Sequence, residues 1–332
     1  MHTPEVLVAG ETLVDLVPAG SGSLATVSGF AHRPGGAPAN LASGLPAVGH
    51  SPPALWTRLG DDPFGDFLQS ALADHGLDGE FVERGDAPTA LAVVAPTEDD
   101  GPRFSFYERG TTTLAFDPER VPDPARFECV HVSGVPLAHP EGRRAMLALA
   151  ERASDAGCLV SVDPNYRPEL WRRPDDAGDA LGRLCSHADL LCCSAADLAP
   201  FGLESLARDD PEAAASAFLD AGPGSVDAGP DTVFLTRGAG GATVASDATG
   251  ADERVTHSLP AFDVDAVDAT GAGDAFCAGV LAEFAPGLSA GRLRDVLAFA
   301  SAAGALATTQ RGGFGALPGE AAVRRLAETT NA

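Results

Sequence analysis

Six short apolar runs, Val6–Ala9, Ala54–Arg58, Cys129–Ser133, Leu159–Val162, Leu190–Cys193 and Val233–Leu235, alternate along the chain with segments of helical periodicity such as Pro63–His75 and Glu141–Ala156. A strand that is apolar on both faces must be covered on both faces, and helical crossovers between parallel strands do this. The pattern therefore predicts an α/β layered fold with a mainly parallel sheet. Two stretches break the rhythm. Residues 11–34 and 82–117 carry alternating or Gly-punctuated runs, among them Thr89–Val94 and Arg103–Tyr107, with no helix between them. They predict antiparallel strands outside the main sheet, forming a small β lid. Gly222–Asp231, rich in Gly, Pro and Asp, suits a surface loop. No internal repeat is evident, so residues 1–332 are taken as one α/β domain with its lid.

Charge removes several classes of function. The 332 residues carry 47 Asp and Glu against 22 basic residues, a formal net charge of -25, and every basic residue is arginine. Nucleic acid and anionic membranes are held chiefly by counter-charge, so neither is expected as a partner. A P-loop needs a lysine at the β- and γ-phosphates and a protein kinase needs one on its third strand, so a lysine-free chain fits neither. After Val8-Ala9 the chain reads Gly10-Glu11-Thr12, which lacks the glycine spacing of a dinucleotide fingerprint. High acidity without lysine suits a salt-rich, halophilic cytoplasm. No signal peptide or span-length apolar run is evident, so a cytoplasmic location is expected. Cysteines 129, 158, 185, 192, 193 and 277 lie mostly in apolar runs, without zinc-site spacing, and are expected to be buried small hydrophobes.

The sharpest chemical signal is Val267-Asp268-Ala269-Thr270-Gly271-Ala272-Gly273-Asp274-Ala275-Phe276, leading into the apolar helical run Cys277–Phe284. Glycines at a helix start let successive N–H groups converge on an anion such as a phosphate, and the helix dipole adds to the attraction. A carboxylate there would repel that anion unless it has a second task. Accepting a proton from an attacking hydroxyl is such a task; serving only as a helix-start residue is the simpler alternative.

This segment resembles the D-T-x-G-A-G-D signature of the ribokinase-like (PfkB) carbohydrate kinases, with Ala269 at the usual Thr position. Pro34-Gly35-Gly36-Ala37-Pro38-Ala39-Asn40 resembles that family's paired-glycine sugar motif, and Gly10–Asp15 its opening strand. Gly60–Gly65 resembles a further landmark. Asp163–Trp171 is similar to the segment of fructokinases and 2-keto-3-deoxygluconate kinases, and Thr236–Gly241 resembles the T-x-G-x-x-G nucleotide loop. The resemblance runs from about residue 5 to about residue 318.

The resemblance implies a three-layer ribokinase-like sandwich and an ATP-dependent sugar kinase. Asp274 would be the general base, with an anion hole from the N–H groups of Gly271, Ala272 and Gly273. Asp15, Gly35, Gly36 and Asn40 would hold the sugar, joined by Tyr107, Arg109 and Arg167 if the substrate carries a carboxylate; a solvent-facing lid charge for Arg109 and an ATP-phosphate contact for Arg167 are equal alternatives. Ser194, Asp197, Thr236, Gly238 and Gly241 would face the nucleotide. Ser194 and Asp197 replace the N-x-x-E of many relatives, and the shorter Asp197 suits water-mediated contact with Mg²⁺, or a plain helix-start role. Asp268 and Thr270 match positions that bind a monovalent cation such as K⁺ in some relatives. Fructokinase is the first reading; a 2-keto-3-deoxygluconate or other sugar kinase and a catalytically silent sugar or nucleotide sensor are the alternatives. A homodimer formed through the lid is also expected.

Overall fold

The computed structural model describes residues 5–20, 24–95, 103–221, 229–249, 253–317 and 319–331. Thirteen strands are formed among them: β1 (Val6–Ala9), β2 (Leu13–Pro18), β3 (Phe30–Gly35), β4 (Ala54–Gly60), β5 (Val82–Gly85), β6 (Leu91–Ala95), β7 (Arg103–Tyr107), β8 (Cys129–Ser133), β9 (Leu159–Asp163), β10 (Leu190–Ser194), β11 (Thr232–Thr236), β12 (Ala242–Ser246) and β13 (Val255–Leu259). The main sheet has the order β13-β12-β11-β10-β9-β8-β1-β4-β5. It is parallel from β11 to β5 and ends in the antiparallel hairpins β11–β12 and β12–β13.

Strand alternation divides the core. Leu7, Ala9, Val160, Val162, Leu191 and Cys193 point to one face; Val6, Val8, Leu190, Cys192 and Phe234 point to the other. The first face is covered by α3 (Pro140–Asp155), α4 (Pro174–Cys185), α5 (Glu204–Asp209) and α6 (Pro211–Ala221). The second is covered by α1 (Ala37–Gly44), α2 (Pro63–Asp74), α7 (Ala272–Glu283), α8 (Ala290–Ala307) and α9 (Glu320–Ala327). The six cysteines are buried and unpaired, and the adjacent Cys192 and Cys193 serve opposite faces as their strand periodicity requires. Helix starts are set by local chemistry. At α2, the Asp62 carboxylate accepts from the Gly65 N–H at 2.8 Å, and Pro63 supplies a residue with no N–H to lose.

The lid is a second sheet, β3-β2-β6-β7. It differs from the antiparallel expectation in one pairing: β2 and β6 run parallel, because the chain leaves the lid through the main sheet before it returns. The stretch 82–117 is also not lid throughout. Val82–Gly85 pairs parallel with β4 and forms the edge of the main sheet, and the register of that strand continues the crossover from α2. Residues 222–228 of the Gly- and Pro-rich segment, 21–23 of the first lid stretch and 96–102 of the second lie outside the described residues.

Parallel strands all point their carboxyl ends to one rim. Ala9, Ser133, Asp163, Ser194 and Thr236 end β1, β8, β9, β10 and β11 there, and the lid closes over the same rim. A cavity at that place is the general outcome of an open parallel sheet. Here it has a volume of about 320 Å³.

Candidate active site

Gly271 caps α7 in the left-handed region, φ 78°, where a Cβ would also run into the Gly313 backbone. No side chain caps this helix start. The Ala272 N–H donates to the Ala269 carbonyl at 3.2 Å, and Ala272 does not line the cavity. Of the N–H groups expected to form an anion hole, that of Ala272 is thus engaged, while among the described residues those of Gly271 and Gly273, and that of Asp274 beside them, find no acceptor. The residues lining the cavity here are Thr270, Gly271, Gly273 and Asp274.

Asp274 is half-buried in the first turn of α7, and its Oδ2 accepts a hydrogen bond of 2.8 Å from Asn40 Nδ2, 234 positions away on α1. Burial pushes its carboxyl up to about 6; the Asn40 bond and the Arg167 guanidinium pull it down, and Asp197 adds to the rise. An acid of that strength is ionised at neutral pH yet basic enough to take a hydroxyl proton as it is released.

The β2 and α1 side of the cavity is acidic and tightly built. Asp15 is buried and pushed up to about 7 by burial and by the negative charges of Asp274 and Asp268, against the pull of Arg33. Gly35 has no side chain because the Asp15 carboxylate fills the space, and Gly35 itself does not line the cavity. Gly36 stands at φ 101° at the start of α1, where a Cβ would meet the Glu11 carbonyl oxygen.

Two further residues of this site were quoted in the sequence motifs without a role. Glu11, 3% exposed, accepts from the Ala37 N–H at 3.3 Å and the Ser133 hydroxyl at 3.2 Å, and burial pushes it up to about 7. Asn165, 4% exposed, is the one non-glycine residue with positive φ among those described, at 43°. Its N–H donates to Asp163 Oδ1 at 2.8 Å and its side-chain Oδ1 is buried with no partner. Burial, with Asp197 and Asp274 nearby, holds Asp163 well above the usual carboxylate range despite Arg167. An acidic residue at the end of an apolar strand, and an Asn two residues past an Asp, were the available signals.

On the β10 and β11 side, Ser194, Asp197 and Thr236 line the cavity, whereas Gly238 and Gly241, both at positive φ, flank it. Asp197 is not a helix cap: it lies one residue inside the short turn Ala196–Phe201, folded back toward the strand. Its Oδ1 accepts from the Tyr166 N–H at 2.7 Å, and its Oδ2 accepts from the N–H and hydroxyl of Ser194 at 2.7 and 2.6 Å. Both oxygens already accept hydrogen bonds, so a hydrated Mg²⁺ reached through water would suit this carboxylate, and the orphaned Asn165 Oδ1 would be a further acceptor for such waters. Among the described residues no group of three or more His, Cys, Asp or Glu is placed to hold a metal ion. Asp268 accepts from the Thr270 N–H at 3.0 Å and the Gly312 N–H at 2.9 Å; burial raises its carboxyl, but these bonds outweigh burial and hold it low. It does not line the cavity, though Thr270 does.

Lid strand β7 departs from the sequence expectation by one residue of phase. Phe104 and Phe106 line the cavity, while Tyr107 is 63% exposed and Arg109 is exposed, and neither is part of the lining. Arg167 does line it, beside Asp274, Glu11 and Asp163.

A family model described as "pfkB family carbohydrate kinase" matches residues 3–318. A fructokinase of Klebsiella pneumoniae is 35% identical over 322 residues, covering 95% of this chain and 96% of that protein. The crystal structure of a Xylella fastidiosa fructokinase with bound ATP superposes with a TM-score of 0.82 at 27% identity, covering 98% of this chain and 99% of that one. A double mutant of a Vibrio cholerae fructokinase, solved in fructose-, ADP- and potassium-bound form, gives 0.79 at 27% identity over 98% of this chain and 99% of that one. With its ribokinase-like sandwich, its lid and a carboxylate at an open helix start, the chain belongs to the pfkB family of carbohydrate kinases.

Proposed function

We propose that this kinase is a fructokinase, transferring the γ-phosphoryl group of Mg·ATP to a primary hydroxyl of fructose, with Asp274 as the base. The observation that carries the reading is the Asp274–Asn40 pair at 2.8 Å, set beside unpaired N–H groups at the start of α7. Asp15, Asn40 and Gly36 hold the sugar so that one hydroxyl reaches Asp274. The carboxylate takes its proton as the oxygen attacks in line, while the N–H groups of Gly271 and Gly273 receive the negative charge on the phosphoryl oxygens. Mg²⁺ arriving with ATP neutralises charge on the leaving phosphates. Ser194, Asp197, Thr236 and the Gly238–Gly241 turn face the nucleotide, and Asp268 with Thr270 holds K⁺ near the anion hole. The lid's apolar Phe104 and Phe106 exclude water, which would otherwise hydrolyse ATP.

Fructose is favoured over 2-keto-3-deoxygluconate because Tyr107 and Arg109, two of the three residues that would grip a sugar acid, stand outside the cavity, and the third, Arg167, lies among Glu11, Asp163 and Asp274. A silent sensor would have no use for the base and the open helix start together. Lid strands β3 and β7 present free edges, so two copies are proposed to pair through the lid; sedimentation of the protein as a monomer at micromolar concentration would refute that. A salt-rich cytoplasm is the proposed setting. The deciding experiment is a coupled ADP-release screen in high KCl with fructose, 2-keto-3-deoxygluconate, ribose and nucleosides. Preference for the sugar acid, or sugar and ATP binding without ADP release, overturns the reading.

A further inference from the structure

The phase of β7 turns the Glu108 carboxylate, and not the Arg109 guanidinium, to the cavity wall. Glu108, one residue past the strand, keeps the alternation of Phe104 and Phe106: it is half-buried and lines the cavity. Its carbonyl accepts from the Thr111 N–H at 3.0 Å and the Thr111 hydroxyl at 2.6 Å, a turn that fixes the residue against the rim. Among the described residues, no group donates to or pairs with its carboxylate.

The charge balance of the lining points the same way. Glu11, Asp15, Glu108, Asp163, Asp197 and Asp274 supply carboxyl groups, and Arg167 is the one cationic residue of the cavity wall. That guanidinium stands in the fields of Glu11, Asp163 and Asp274 and donates to the Tyr166 carbonyl at 3.0 Å, so its single positive charge is already offset by three carboxyl groups. The phosphates of ATP avoid this acidity by meeting the backbone N–H groups of α7 and bringing their own Mg²⁺. A carboxylate on the sugar has neither advantage.

We propose that Glu108 is the specificity-determining residue that restricts the cavity to neutral sugars. Its carboxylate accepts hydrogen bonds from sugar hydroxyls and repels any substrate that carries a carboxylate at the lid end. Discrimination by an unfavourable charge pairing needs no added contact with the preferred ligand. The inference rests on the sugar-kinase reading, and it deepens that reading by naming the class admitted and the residue that excludes the other.

Fructose and 2-keto-D-gluconate form the matched test pair, since they differ only in whether C1 is a hydroxymethyl group or a carboxylate. The full-length protein and its Glu108→Gln, Glu108→Asp and Arg109→Gln variants are compared in high KCl. The readouts are the ratio of kcat/KM for the two sugars and the inhibition constant of 2-keto-D-gluconate against fructose. Glu108→Gln should shift the ratio toward the acid by at least ~10-fold, equivalent to about 1.4 kcal/mol. Glu108→Asp, which restores the charge, should retain the wild-type ratio. Glu108→Ser makes the same prediction as the Gln variant should Gln impair folding. An unchanged ratio in the neutral variants, or a ratio that moves only with Arg109→Gln, overturns the proposal. Should wild-type protein phosphorylate another neutral sugar and not fructose, the fructokinase reading falls while the same comparison, run on that sugar and its acid, still decides the role of Glu108.

Discussion

Replacing Asn40 with Ala tests which carboxylate takes the proton, because Asn40 touches one candidate only. Its 2.8 Å bond to Asp274 Oδ2 stabilises the ionised form and opposes the burial that pushes this carboxyl up to about 6. A hydrogen bond to a charged group is worth roughly 1.5–3 kcal/mol, which corresponds to about one to two pH units. The acidic limb of kcat/KM against pH should therefore move from about 6 in the wild type toward roughly 7–8 in Asn40→Ala. At pH 7 the ionised fraction of the base falls from about 90% to between roughly 10% and 50%, and raising the pH to 9 restores it. The plateau is also expected to drop, since Asn40 lines the cavity, but the position of the limb is independent of its height. Glu11 and Asp15, both pushed up to about 7, contribute to the same limb as coupled steps. Neither accepts a bond from Asn40 Nδ2, and both are raised by the Asp274 charge, so a more protonated Asp274 moves their steps down, opposite to its own. The assay is ADP release with saturating ATP from pH 5 to 9.5 at constant ionic strength. A limb that stays in place would exclude Asp274 as the group that must be ionised.

In the companion variant Asp274→Asn, kcat should fall at least ~10²-fold while calorimetry still detects sugar binding; near-normal turnover would refute the base. Glu11→Gln tests the stability cost of the acidic cavity. The folded carboxyl titrates at about 7 against 4.5 unfolded, so its charge costs stability on the order of 3 kcal/mol that is absent below pH 4.5 and complete above pH 7. The variant's melting temperature should accordingly exceed the wild type's at pH 8 and match it near pH 4.5, and a pH-independent difference would contradict the argument. Gly36→Ala forces a Cβ toward the Glu11 carbonyl at φ 101°, for a cost of roughly 1–3 kcal/mol in melting experiments and a loss of sugar affinity. Dilution from molar to 0.1 M KCl lengthens the Debye screen to about 10 Å and should lower the melting temperature of a chain with net charge -25; full activity and unchanged melting in dilute buffer would remove the halophilic reading.

The six apolar runs were legible as central strands because parallel strands are buried on both faces and keep no polar phase to confuse them. The edge strand β5 was not, since Val82-Glu83-Arg84-Gly85 carries the mixed polarity of a lid strand and only pairing with β4 assigns it. The site followed the same division. Asp274 and Asn40 could be read because their surrounding glycines report backbone demands, Gly36 and Gly271 at positive φ. Glu11 offered only its place just past an apolar strand, because its partner Ser133 lies 122 positions away and the burial that joins them does not show in sequence. Tyr107 and Arg109 illustrate the sharpest limit. Strand periodicity states that alternate residues face one way, but which phase faces the cavity is set by pairing with β6, and here it selects Phe106 and Glu108.

Absence of lysine sharpens what the helix start must do. With six carboxyl groups and one guanidinium on the wall, side chains alone would make this cavity hostile to a triphosphate. Backbone N–H groups are the donors that such a chain can offer without changing its charge, and the dipole of α7 aligns them. In this structure Gly271 turns left-handed and the Ala272 N–H donates to Ala269, which leaves the N–H groups of Gly271, Gly273 and Asp274 without an acceptor among the described residues. A lysine placed here would satisfy the phosphates but pair with Asp274 and lower its basicity, which is the property the proposed transfer step uses.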